Sequence, residues 1–215
     1  MNTQLSPILL SVTTFLLLSF SVHAAPIYSF GDAPIFFNDN NVTVGFKFTV
    51  NKKLKVDTFG FYDHQQDGLL TSHQVGLFDT HGNLLVSTVV SSGSVGALDG
   101  YFRYSSITPF TLTKEESYIL AGLATGQDGY NFGNVGSSIS GFSAIPEITI
   151  APLSSLYVYA PDFLYPTEFF RYDLYPTVNM QVSDPSPVPV PAALPLFGIG
   201  LACLSMVRRR FATLT

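Results

Sequence analysis

Between residues 26 and 182, no stretch keeps apolar side chains at i, i+3, i+4 and i+7 through three turns without meeting Gly or Pro. That pattern removes long amphipathic helices from most of the chain. The period that does recur is two. Val42, Val44, Phe46, Phe48 and Val50 alternate with Thr43, Gly45, Lys47 and Thr49. One face is apolar and the other mostly polar, as a half-buried antiparallel strand requires.

The alternation repeats along the chain. Asn51-Lys52-Lys53 predicts a turn, Leu54 to Tyr62 a second strand, and DHQQDG at 63–68 a break. A strand over 73–78 runs into Asp79-Thr80-His81-Gly82, where Gly82 supplies the positive φ of a tight connection. A strand over 83–90 follows, then a Ser- and Gly-rich loop at 91–100. Residues 101–107 and 109–113 predict two more strands. SYILAGLA at 117–124 is apolar on both faces and predicts a central strand. Further strands are expected at 145–150, 155–160 and 177–182. Short strands at intervals of roughly ten residues predict an all-β fold, an antiparallel β-sandwich or jelly-roll-like single domain over 25–182. A span of about 155 residues buries a sizeable core.

The pattern S-H-x-V-x-L-F-x-x-x-G-x-L-L-V at 72–86, with VGFKFTV at 44–50 and the apolar strand near 118–124, carries a resemblance. It is similar to an uncharacterised β-sandwich module of bacterial secreted proteins, sometimes found beside carbohydrate-active domains. The resemblance bears on fold rather than function.

Both ends are unlike the middle. The chain is 47% hydrophobic and 12% charged, against about 25% charged in ordinary soluble domains, and both ends contribute to the skew. Residues 5–22 are apolar with interspersed Ser and Thr, ending at Val22-His23-Ala24. This reads as a signal peptide over 1–24, cleaved after Ala24. Cleavage after Ala25 would leave Pro26 at the +1 position, which is unfavourable. The n-region MNTQ lacks Lys and Arg, and an uncleaved membrane helix is the alternative. The single cysteine, Cys203, lies far from the cleavage point. A lipoprotein anchor and an intramolecular disulfide are both excluded.

At the other end, SDPSPVPVP at 183–191 places four prolines in nine residues, which favours extended polyproline II. Ala192 to Val207 is then free of charge over sixteen residues. As a helix it would span roughly 24 Å against about 30 Å of hydrocarbon, a gap that local thinning can close. Arg208, Arg209 and Arg210 would remain cytoplasmic. Gly198 and Gly200 offer a face for close helix approach, and Cys203 suits a small apolar filler. A permanent tail anchor and a buried core helix are the alternatives.

The order of proline motif, short apolar run and arginine cluster over 188–210 resembles the PEP-CTERM sorting signal of Gram-negative bacteria. Val188-Pro189-Val190-Pro191, Leu196-Phe197-Gly198 and the three arginines carry the likeness. Val190 stands where many members have Glu. The resemblance implies transient insertion in the inner membrane and recognition by an exosortase-type peptidase. Cutting near the proline motif would deliver the ectodomain to the cell surface or extracellular matrix. It further implies association with exopolysaccharide and biofilm.

Formal charge is −5. Without the three tail arginines, 7 basic residues face 15 acidic ones, giving −8. No basic stripe exists to neutralise phosphates, so nucleic acid is not an expected partner. Catalytic patterns are sparse, and no G-x-S-x-G elbow is present. His64, His73 and His81 share a window with Asp63, Asp67 and Asp79. None of their spacings matches a zinc motif, none of the Asp/Asn loops has the EF-hand order, and turn chemistry accounts for these residue types. A hydrolase built on this window is the remote alternative. No cofactor is expected, and a calcium site is only a weak option. The Gly-rich 126–136 lacks the Lys-Ser/Thr ending of a phosphate loop and reads as a β-loop. Residues 156–176 hold eight aromatics, among them Tyr157, Tyr159, Tyr165 and Tyr172. Exposed tyrosines stack on sugar faces, so these four are the candidate polysaccharide-binding residues. The alternative is that the rings form a loop core capping the sandwich.

Overall fold

The computed structural model describes residues 24–31, 35–37, 41–126 and 128–185. The signal segment before Ala24, the linker from 186, and the sorting signal with its apolar run 192–207 lie outside the described residues. None of the described residues is helical. In chain order the first strands are β1 (Ala25–Pro26), β2 (Tyr28–Ser29), β3 (Ile35–Phe37), β4 (Val42–Val50), β5 (Leu54–Tyr62), β6 (His73–Asp79), β7 (Leu84–Val90) and β8 (Ala97–Asp99). There follow β9 (Phe102–Leu112), β10 (Ser117–Ala124), β11 (Tyr130–Phe132), β12 (Ser143–Ala144), β13 (Ile148–Thr149), β14 (Ser155–Tyr159), β15 (Glu168–Phe169) and β16 (Val178–Ser183).

The strands form two main antiparallel sheets. The first runs β1-β16-β5-β9-β8, and the second β15-β14-β4-β10-β6-β7, with β13 also along β4. Small pairs β11–β3 and β12–β2 stand beside them. The inward side chains of β4 (Val44, Phe46, Phe48) share one buried cluster with Phe59 and Phe61 of β5 and Val178 and Met180 of β16. Burial of these apolar side chains is the main favourable term holding the sheets together. At Gly122 in β10 the sheets approach so closely that a Cβ would collide with Val178 Cγ1.

β10 is central, flanked by β4 and β6. Leu120 joins the main core, while Ile119 and Ala121 join a smaller cluster with Phe78 and Leu156. Phe163 and Tyr165 pack on that second cluster. Both faces of β10 are thus covered, which is why its sequence does not alternate.

Three expectations change in detail. Residues 101–107 and 109–113 form one strand, β9, rather than two. Pro109 fits because the register against β5 shifts between Val56 and Thr58, whose partners are Phe110 and Ser106. Its missing N–H falls in this irregularity instead of interrupting the ladder. Of the strand expected at 145–150 only the two-residue β13 forms, on β4, while β12 lies just before that span and pairs with β2. The Gly-rich loop 126–136 contains β11, which pairs with β3.

The strands define two ends. At one, the β4–β5 turn (51–53) lies beside the β9–β10 turn, through Val50 N–H to Glu116 O and Glu115 N–H to Val50 O. Ala25 pairs with Val182, and Ser183 with Lys55, at this same end. At the other end lie the β5–β6 loop (63–72) and the start of the 125–129 loop.

Candidate functional site

Two groups of side chains stand out: a buried polar layer at the 63–72 end, and the aromatic stretch after β14.

The polar layer begins where β5 stops. Asp63 follows Phe59 and Phe61 at the same two-residue interval, and like them it is buried. Arg103, in register with Phe61 across the β5–β9 ladder, is also buried. Its Nε donates to Asp63 Oδ2 at 2.6 Å, Nη1 to Gly96 O at 3.2 Å and Nη2 to Gln66 O at 3.1 Å. Asp63 Oδ2 also accepts from Gly68 N–H at 3.0 Å. One guanidinium therefore ties two loops to β9, and every bond it makes is charge-assisted.

The second pair is His73 and Asp128. His73 is 0% exposed, and its ring stacks on Phe61 at 3.8 Å and 4°. Nδ1 lies 3.0 Å from Leu123 O, and Nε2 lies 2.8 Å from Asp128 Oδ2. Each ring nitrogen thus faces an oxygen acceptor, one a carbonyl and the other a carboxylate. Asp128 also accepts from Leu70 N–H at 2.8 Å and Thr71 N–H at 2.7 Å. Burial pushes its carboxyl up, but the hydrogen bonds from His73, Leu70 and Thr71 outweigh burial and hold it below the usual carboxylate range.

A cleft of about 300 Å³ opens over this layer, lined by Asp63, His64, Gln65, Asp67, Leu70 and Asp128. The Tyr62 hydroxyl lies 3.3 Å from His64 Nδ1. Burial, helped by neighbouring Tyr101, pushes that phenol up to about 12, so it stays neutral.

The remaining members of the His/Asp window lie elsewhere. Asp79 ends β6 and His81 follows it in the turn, with Asp79 roughly 20 Å from His73 by strand rise. Asp79 accepts from His81 N–H, Asn83 N–H and Asn83 Nδ2 at 2.8, 2.9 and 2.7 Å. These bonds, Asn83's first, hold its carboxyl below the usual range and shape the turn. Among the described residues, no group of three or more His, Cys, Asp or Glu is placed to hold a metal ion.

The aromatic stretch divides in the same way. Tyr165 lies edge-on to Phe78 at 5.5 Å, with its hydroxyl 3.4 Å from Thr80 O. Tyr172 is half-buried against Phe132 at 4.5 Å, with the Arg171 guanidinium 5.3 Å over its ring. Tyr157 is half-buried between Tyr159 and Phe170, at 5.6 and 5.7 Å. Tyr159 is 60% exposed, and Phe169 on the short strand β15 is 77% exposed. Tyr157 and Tyr172 therefore meet through Phe170, with Tyr159 against Tyr157, while Tyr165 belongs to the outer face of the second sheet. Phe169 is the exposed ring that the four sequence candidates leave out.

Arg103 and Asp128 were also beyond the sequence reading. Arg103 had a signal, a lone charge between Phe102 and Tyr104 in a strand. Asp128 had none, since 55 positions separate it from His73.

Residues 32–175 match a family described as a domain of unknown function, DUF4082. The chain belongs to the DUF4082 family. The matched span contains the Asp63–Arg103 and His73–Asp128 contacts, the cleft and the exposed aromatics, while β16, an inner strand of the first sheet, follows it. No curated protein and no solved structure matches the chain.

Proposed function

We propose that this DUF4082 protein is an exported, non-enzymatic surface or extracellular-matrix protein of a Gram-negative bacterium. Residues 1–24 direct export. The tail 188–210 is a PEP-CTERM-like signal that holds the protein in the inner membrane until an exosortase-type peptidase cuts near Pro189–Pro191. The domain that remains is a jelly-roll-like sandwich working with exopolysaccharide. The observation that carries the non-enzymatic reading is the polar layer, where Asp63, Arg103, His73 and Asp128 are all engaged in holding loops to strands. Intact mass of the protein from membrane and medium tests the sorting step. The medium form is expected to begin at Ala25 and to lack the arginines, and a full-length C-terminus there overturns the reading.

A second reading, a carbohydrate-binding module, is favoured by the exposed rings of Tyr159 and Phe169. Such rings stack on the apolar faces of sugars. Retention on the producing strain's exopolysaccharide, lost in Tyr159→Ala and Phe169→Ala, supports it. Undiminished retention in both variants removes it.

A further inference from the structure

We infer that, while the tail is in the membrane, the domain stands with its 51–53 and 113–116 turns toward the bilayer and its cleft end outward. This inference rests on the membrane-tail reading above.

The argument begins with strand direction. β16 runs from Val178, opposite Phe61, to Ser183, opposite Lys55. The chain therefore leaves the sheet beside the β4–β5 turn, and Lys52 Nζ holds Asp184 at 2.7 Å there. The N-terminal segment enters at the same end, because Ala25 pairs with Val182. Both apolar segments of the sequence thus join the sandwich at one end, so one orientation serves insertion through either. The eight residues of the tether, 184–191, can reach at most about 28 Å when fully extended. The nine-residue strand β5 is itself about 30 Å long, so the tether is shorter than the domain it carries.

Charge favours the same orientation. The turn end has Lys52, Lys53, Lys55 and Lys114 against Asp57, Glu115, Glu116, Glu147 and Asp184, close to balance. Among the described residues, the cleft end has Asp63, Asp67 and Asp128, and its Arg103 guanidinium is buried on Asp63. An anionic lipid surface repels the cleft end more strongly. The cleft and Tyr159, which pairs with Val42 at the start of β4, then face away from the lipid toward any polymer outside the cell.

Energy transfer to labelled lipid headgroups tests this. In a Cys203→Ser background, Lys53→Cys and Val95→Cys place one dye at each end, both positions being exposed. The chain is recovered from membranes and reconstituted into vesicles carrying acceptor-labelled anionic lipid. Transfer from position 53 is expected to exceed that from position 95, and the difference should shrink at high salt. Equal or reversed transfer in protein that floats with the vesicles overturns the orientation and leaves the tail reading standing. Protein that does not float overturns the tail reading and the orientation with it.

Discussion

At the cleft end, Asp63, Arg103 and His73 are buried and Asp128 is half-buried at the cleft wall, and each is met by charged or hydrogen-bonding partners. After β14, Tyr159 and Phe169 stand in solvent although their residue types belong to cores. The two regions reverse the usual assignment of polar to outside and aromatic to inside. The groups that look chemical in the sequence tie loops to strands, and two rings that look structural stand exposed. What separates the two roles is whether each side chain's bonding capacity is already filled.

That contrast breaks if the buried polar groups prove dispensable for folding. The largest effect is expected from Arg103→Ala, which strands the Asp63 carboxylate in the interior. It should cost about 3–5 kcal/mol, seen as a lower urea midpoint. Adding Asp63→Asn should recover part of the loss, and a double variant less stable than Arg103→Ala would mean that the pair is not coupled. Gly122→Ala probes the neighbouring apolar contact and should cost about 1–3 kcal/mol through overpacking against Val178. A neutral result there would mean that the sheets can separate freely.

Asp128→Asn sharpens the comparison through pH. The folded carboxyl is held below its ordinary value, so its stabilising contribution is complete above the unfolded pKa of about 3.9. It is lost as pH falls through the folded pKa. The variant should be less stable at neutral pH, and its stability should fall less between pH 5 and the acid limit. Denaturant midpoints measured across that range check it, and parallel curves for the two proteins would remove Asp128 from the acid response.

The smallest effects on stability belong to the exposed rings. Tyr159→Ala and Phe169→Ala should each shift stability by about 0.5 kcal/mol or less while changing polysaccharide retention. A large loss of stability in either would move that ring from the surface back into the fold.

Much of the sandwich was legible in local pattern. β4, β5, β6, β7, β10, β14 and β16 all fall within a residue or two of their expected bounds, because alternation and turn residues are local signals. The short strands β1, β2, β3, β8, β11 and β15 were not legible, since two or three residues carry no period. The candidate site was less legible still. The sequence grouped His64, His73, His81, Asp63, Asp67 and Asp79 by nearness along the chain, but a strand carries Asp79 and His81 away from His73. The partners that matter, Arg103 for Asp63 and Asp128 for His73, lie 40 and 55 positions distant.

By itself the sequence determined the strand-rich fold class, the central place of β10 and the turn at Gly82, because each follows from side-chain spacing or backbone freedom at one position. Only the tertiary structure decided which charges are buried together, which aromatic rings stay in water, and that Ala25 and Ser183 lie at one end of the sandwich. Those outcomes depend on strand order and register, which bring distant residues within hydrogen-bond reach, and neighbouring positions in the chain do not encode that distance.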